Sequence, residues 1–222
     1  PSTMTTNTPE ILLLSLLVQS QRASIEQSHE FLLHSLASSS NVSWASTVHE
    51  ALEHLDHEAP PQGILVANPA IVHPKYDEVS TKLVAYVRKG GIVIHGGFFS
   101  ADIRPDDLER YMQAKWALPW RAGSYYRTTL YLNEEALPRT TTGLLSSYSQ
   151  KAVFLEDVDP SMAWYAISDR SVVESLAPGS EINLLDTPVA FARFEDGWIG
   201  YLGDVDGEEG TVAVILKMFG LI

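Results

Sequence analysis

Apolar and polar positions alternate between two rhythms in the first half of the chain. Glu10–Leu17 (EILLLSLL), Gly63–Ala67 (GILVA) and Gly91–His95 (GIVIH) are short runs, apolar almost throughout. Runs of this length with no polar alternation predict strands buried on both faces. Asn41–Ala45 is a further short strand candidate. Between them the spacing turns helical. Ile25, His29, Leu32 and Leu36 follow Ser24, which is placed as an N-cap. Val48, Ala51, Leu52 and Leu55 follow Ser46, a second cap. Pro74 opens a third helix whose inner stripe is Val79, Leu83, Val84 and Val87. Gly90 and Gly91 stop it. Pro105-Asp106-Asp107 starts a fourth helix, with proline and acids where a helix N-terminus favours them.

The resulting order, β-α-β-α-β-α-β-α with short links, predicts a parallel sheet covered on both faces. The second half changes character. Ser124–Leu132, Ala152–Leu155 and Trp164–Ile167 are strand candidates without helices between them. Pro188–Phe194 and Trp198–Leu202 flank Glu195-Asp196-Gly197, a hairpin signal. A last helix runs from about Glu208 to Phe219. The expectation is an α/β fold: a three-layer flavodoxin-like sandwich with a mostly parallel central sheet, a C-terminal antiparallel hairpin and a final helix. Residues 1–9, rich in Thr, Ser, Asn and Pro, read as a loose tail and residues 10–222 as one domain.

Composition narrows the function classes. The 222 residues carry 15 Lys and Arg against 28 Asp and Glu, a formal charge of −13. Nucleic acid and anionic membrane surfaces are therefore poor partners. The longest apolar run, Ile11 to Val18, is too short to span a bilayer. It lacks a basic leader, so a cytoplasmic location is the default; a segment upstream of Pro1 is left open. There is no cysteine. That removes disulfides, thiolate nucleophiles and Cys-ligated metals together.

Ligands of an open parallel sheet bind beyond the carboxyl ends of its strands. That rule selects Gln19–Arg22, Asn68-Pro69-Ala70, His95–Ser100 and Gly203-Asp204. The paired glycines Gly96 and Gly97 let a ligand approach the backbone, and Phe98 follows them. Candidate binding residues are thus Asn68, Gly96, Gly97, Phe98 and Gly203. Candidate catalytic residues are His95, as a base, Asp204 at a strand end, and Ser100 as a nucleophile. Each has a structural reading as well: a core histidine, a tight turn, a helix cap. An α/β-hydrolase is rejected because no Gly-x-Ser-x-Gly elbow occurs. His49, His54 and His57 miss the zincin spacing, and Asp204–Glu209 misses the EF-hand pattern. No metal and no cofactor is expected. Trp116, Trp120, Tyr125 and Tyr126 read first as a covering loop that closes the core, with an aromatic lid or a partner surface as the alternative.

Three stretches carry a family resemblance. Leu83-Val84-Ala85-Tyr86-Val87-Arg88-Lys89-Gly90-Gly91-Ile92-Val93-Ile94 resembles a helix-to-strand segment of class I glutamine amidotransferase-like and ThuA-like domains. Pro188-Val189-Ala190 with Gly197–Asp204 resembles their closing hairpin. Ser124–Thr129 and Ser147–Phe154 resemble fungal members sometimes labelled lipases. The glutaminase members carry a cysteine in a Gly-x-Cys-x-Gly elbow and a His-x-Glu after a later strand. By register these fall near His95–Phe99 and Leu202–Asp206. The chain has no cysteine, and no histidine after residue 95. Without thiolate and base there is no acyl transfer from glutamine. The resemblance implies a catalytically incomplete domain that binds a small molecule or a protein partner at the strand ends. A hydrolase, lyase or isomerase using His95 and Asp204 is the first alternative, and a structural or assembly module the second. Homo-oligomerisation is left open.

Overall fold

The computed structural model describes residues 8–16, 19–137, 140–176, 178 and 182–222, with no side-chain description at 19–21. Most of the expected tail, and Leu17 and Val18 at the end of the first apolar run, lie outside them. The elements follow in the order β1 (Glu10–Leu14), α1 (Gln19–Ser28), α2 (Glu30–Ser39), β2 (Asn41–Ala45), α3 (Val48–Asp56), β3 (Gly63–Val66), α4 (Asp77–Arg88), β4 (Ile92–His95), α5 (Phe98–Asp102) and α6 (Pro105–Trp116). Then come β5 (Arg121–Leu132), β6 (Ser147–Glu156), β7 (Ala163–Ala166), β8 (Val173–Leu176), β9 (Val189–Phe194), β10 (Gly197–Leu202) and α7 (Glu209–Met218).

One sheet contains all ten strands, in the order β2-β1-β3-β4-β10-β9-β7-β5-β6, with β8 paired to β5. The strands from β2 to β10 form the parallel half. Residues of one strand face opposite layers. Ile11 and Leu13 pack with Leu32 and Leu36 of α2 and with Val212 and Ile215 of α7. Leu12 and Leu14 pack with Ala51 of α3, Val79 and Leu83 of α4, and Leu108 and Met112 of α6. The continuous apolar runs are therefore a consequence of burial on both faces.

The sheet is mixed, which corrects the expectation of a mostly parallel one. Four neighbouring pairs are parallel and five antiparallel. The reason is connection length. Strands after α6 follow one another without crossover helices, and short connections permit antiparallel pairing only.

Local chemistry explains most boundaries. Thr47, one residue beyond the expected cap, closes a capping box with Glu50 on α3. Pro74 opens a single 3-10 turn, and α4 begins only at Asp77. Ser24 lies inside α1 rather than capping a helix, and the rim segment expected at Gln19–Arg22 is itself helical. Two short elements, α5 and β8, have no counterpart in the sequence reading.

The antiparallel half closes on itself and covers part of the strand ends. The Val153 amide donates to the Gly203 carbonyl at 2.9 Å, and the Val205 amide to the Lys151 carbonyl at 3.1 Å. Leu155 and Thr187 exchange amide bonds at 2.8 and 3.1 Å. β6 thus lies across the segments that precede β9 and follow β10. This approach needs a glycine at 203, because a Cβ there would collide with the Val153 carbonyl. Gly203→Ala is expected to cost about 1–3 kcal/mol by pushing β6 away from the rim. A lower denaturation midpoint at unchanged slope would show it; an unchanged midpoint would mean that β6 does not sit there.

Candidate functional site

The ends of β1, β3, β4 and β10 bring together Ser15, Asn68, Gly96-Gly97-Phe98 and Gly203-Asp204. The first two are occupied by scaffold bonds. Asn68 donates from Nδ2 to Ser15 Oγ at 2.6 Å and accepts on Oδ1 from the Ala70 amide at 3.2 Å. Its side chain joins β1 to β3 and caps the turn Pro69–Val72.

Gly96 prolongs the β4 ladder through its amide bond to the Val66 carbonyl. Gly97 then turns sharply, with φ 61° and ψ −127°, and Phe98 begins α5. L side chains rarely adopt that backbone, at a cost of order 1–3 kcal/mol. Such a strand–turn–helix elbow is where a nucleophile stands in other α/β sheets. Here the position carries no side chain.

Asp204 is buried and organises the loop before α7. Its Oδ1 accepts from the Asp206 and Gly207 amides at 2.9 and 3.0 Å, and Oδ2 from the Glu208 amide at 2.8 Å. Arg127 of β5 clamps the same loop through Asp206 at 2.6 Å and Glu208 at 2.7 Å. Ser100, also buried, has its hydroxyl 3.3 Å from the Asp204 carbonyl. Both side chains are engaged in holding the rim loop.

His95 lies elsewhere. It is the last residue of β4, fully buried, and faces the α4–α6 layer. Its Nδ1 is 3.2 Å from the Gly200 carbonyl, which can only accept, so Nδ1 carries the proton. Nε2 accepts from the Tyr111 hydroxyl at 3.2 Å. Phe99, Tyr111 and Trp116 surround the ring. Burial lowers its pKa to about 4, with the Gly200 bond acting in the opposite direction. No hydrogen bond or ion pair joins His95 to Asp204 among the described residues; the structure places them in separate surroundings.

The imidazole that does reach the rim is His29, at the junction of α1 and α2. It is 7% exposed, and its Nε2 has no hydrogen-bond partner. A Cβ built on Gly97 would stand 3.6 Å from that nitrogen. The Phe98 ring packs against His29 with centroids 5.2 Å apart. Burial lowers the His29 pKa, and the Asp204 carboxylate opposes the shift. His29, Gly97 and Asp204 line a hollow of about 20 Å³, closed on its other side by Leu32, Leu202 and α7. Sequence reasoning placed His29 on a buried helical stripe with Ile25, Leu32 and Leu36; one polar residue on that apolar stripe was the available signal.

Trp116, Trp120 and Tyr126 are buried, in keeping with a loop that closes the core rather than a lid. The hollow at the strand ends is narrow; a wide one of about 600 Å³ lies against α2 beside Phe31, Leu33 and His34, and two others lie at the opposite end of the strands. One of about 550 Å³ lies beside Pro61, Tyr86 and Gly90, and one of about 540 Å³ beside Ile92, Trp198 and Phe191. Among the described residues no three His, Asp or Glu side chains cluster to hold a metal ion. None of their helices is long and apolar enough to cross a membrane.

No family model and no curated relative matches the sequence. Solved structures do. A ThuA-like protein of Bacteroides uniformis superposes with a TM-score of 0.63 over 100% of this chain and 94% of its own, at 9% identity. The chain has the ThuA-like fold. A ThuA-like protein of Parabacteroides merdae gives 0.59 over 97% and 89%, at 12% identity. The β-galactosidase of Bacillus circulans sp. alkalophilus gives 0.57 over 96% of this chain but 31% of its own, at 10% identity. There the ThuA-like fold corresponds to one part of a larger chain. The resemblance read from the sequence therefore holds for the fold.

In this ThuA-like core His95 is a pH-dependent element of stability. Its folded pKa lies below the ordinary histidine value, so its contribution is complete above about pH 6.5. It is lost as pH falls toward 4, by up to about 3 kcal/mol. Denaturation midpoints measured from pH 7 to pH 4 should fall more steeply for the wild type than for His95→Gln; equal slopes would show that His95 is not buried neutral.

Proposed function

We propose that the chain is a catalytically incomplete amidotransferase-like domain that binds a small molecule or a protein partner at the C-terminal ends of its parallel strands. The observation that carries this reading is the elbow at Gly97. The backbone keeps the conformation that would present a nucleophile, and the residue there has no side chain to present. The sequence has no cysteine to replace it. Asp204 stands after β10, where the glutaminase members have their His-x-Glu, and spends its carboxylate on three backbone amides. Such a centre keeps an imidazole, His29, beside the elbow but has no nucleophile for acyl transfer.

The rim remains a place for recognition. Gly97 and Phe98 are partly exposed, unlike Gly96 and Phe99 on either side of them. β6 and the Arg127 clamp hold the loop beneath them in one arrangement, and pre-organisation of that kind lowers the entropy cost of binding.

Purified protein offered L-glutamine, p-nitrophenyl esters and anilides is expected to release product no faster than buffer. Turnover that disappears in His29→Ala or Asp204→Asn would overturn the proposal. A Gly97→Cys variant addresses the vacancy directly. Its thiol is expected to react with iodoacetamide with a midpoint below the usual value of about 8.5, because the His29 imidazole beside it can take the thiol proton and pair with the thiolate. In Gly97→Cys/His29→Gln the midpoint should return to that value.

A further inference from the structure

The elbow geometry leaves one polar atom unexplained. His29 Nε2 is buried, lacks a hydrogen-bond partner and faces the point where a side chain at 97 would begin. An unpaired buried imidazole nitrogen costs about 1–3 kcal/mol, so something polar belongs beside it. The hollow there, about 20 Å³, exceeds the 10–15 Å³ that a single water needs. Gly97, without a Cβ, forms one of its walls.

The surroundings decide the chemistry. Asp204 is the charged group drawn toward His29, and burial favours the neutral imidazole. The remaining lining is Leu32, Leu202, Val212, Ile215, Gly207 and Thr211. The Thr211 hydroxyl already accepts from Gln150 at 2.7 Å. An anion would meet the Asp204 carboxylate and a chain of formal charge −13. A cation would enter apolar walls with its charge incompletely matched. A hydroxyl fits: it donates and accepts, so it satisfies Nε2 in either tautomer.

We infer that the hollow between His29 and Gly97 is a subsite for one hydroxyl group of a neutral hydroxylated ligand, held at His29 Nε2 in the place that an elbow side chain would take. The inference rests on the rim being the binding site, and it names His29 as the residue that reads the ligand. Phe98 packs on the same ring and helps to hold it in place.

Methanol is the smallest probe of this chemistry. Titrated into wild-type protein labelled with ¹⁵N-histidine, it is expected to shift the His29 Nε2 resonance saturably. That signal is assigned by its loss in His29→Gln. tert-Butanol, too large for the hollow, is expected to give no saturable shift. In Gly97→Ala the new methyl group takes the space, and the methanol response should fall at least tenfold. A linear response, or an equal one to both alcohols, would overturn the inference and leave an ordered water as the occupant. Should Gly97→Ala fail to fold, the contrast between the two alcohols in the wild type decides. Failure here leaves the incomplete-enzyme reading intact, because that reading stands on turnover. Turnover lost in Asp204→Asn would sink the reading without touching the methanol response.

Discussion

Everything at the rim depends on the parallel strands being buried on both faces. A strand with apolar layers above and below cannot place a polar side chain within its length without supplying a partner for it. Past Glu10, which is partly exposed at the start of β1, the positions of β1, β3 and β4 obey this rule with one exception. The exception is His95, and the fold meets the requirement with the Gly200 carbonyl on one ring nitrogen and the Tyr111 hydroxyl on the other. Polar chemistry is thereby displaced to the points where the strands end. Ser15, Asn68, Asp204 and the amides around Gly97 collect there by geometric necessity. That collection alone does not make a reactive centre, since most of these groups already bond to one another.

The antiparallel half turns this rim into a defined surface. β6 is tied to both ends of the β9–β10 hairpin, at Thr187 and at Gly203. It can come so close because residue 203 has no side chain. Arg127, on the neighbouring strand, then ties the loop 204–208 through two carboxylates, while Asp204 ties it from within. Three kinds of constraint thus converge on a few residues: backbone pairing, an ion-pair clamp and side-chain capping. The segment between β10 and α7 is consequently an extension of the core rather than a free loop.

The parallel half could be read from the sequence because its physics is local. Runs such as Ile64–Val66 and stripes such as Val79, Leu83 and Val87 state their burial by spacing alone. The hairpin at Glu195-Asp196 was equally plain. The antiparallel half could not be placed in the same way. Whether Ala152–Leu155 lies at a sheet edge or across the strand ends is set by distant partners, Asp204 for Ala152 and Thr187 for Leu155. β8, whose four residues are all exposed, offers no alternation to detect. The aromatic segment Trp116–Tyr126 left two readings open for a related reason: large side chains look the same in a sequence whether they cover a core or leave it.

The two histidines show the same limit at the level of the site. His95 ends a strand beside two glycines, a placement that suggests chemistry. Strand alternation sends its ring into the α4–α6 layer, where burial holds it neutral. His29 sits in a helical stripe, a placement that suggests packing. The break between α1 and α2 turns it toward the elbow instead, facing the space that Gly97 leaves open. Residue type and spacing supply the imidazole. Which face of an element it occupies, and what lies opposite, decide whether it is structural or available. In this chain the two roles are reversed with respect to sequence position, and the missing side chain at residue 97 is what makes the reversal consequential.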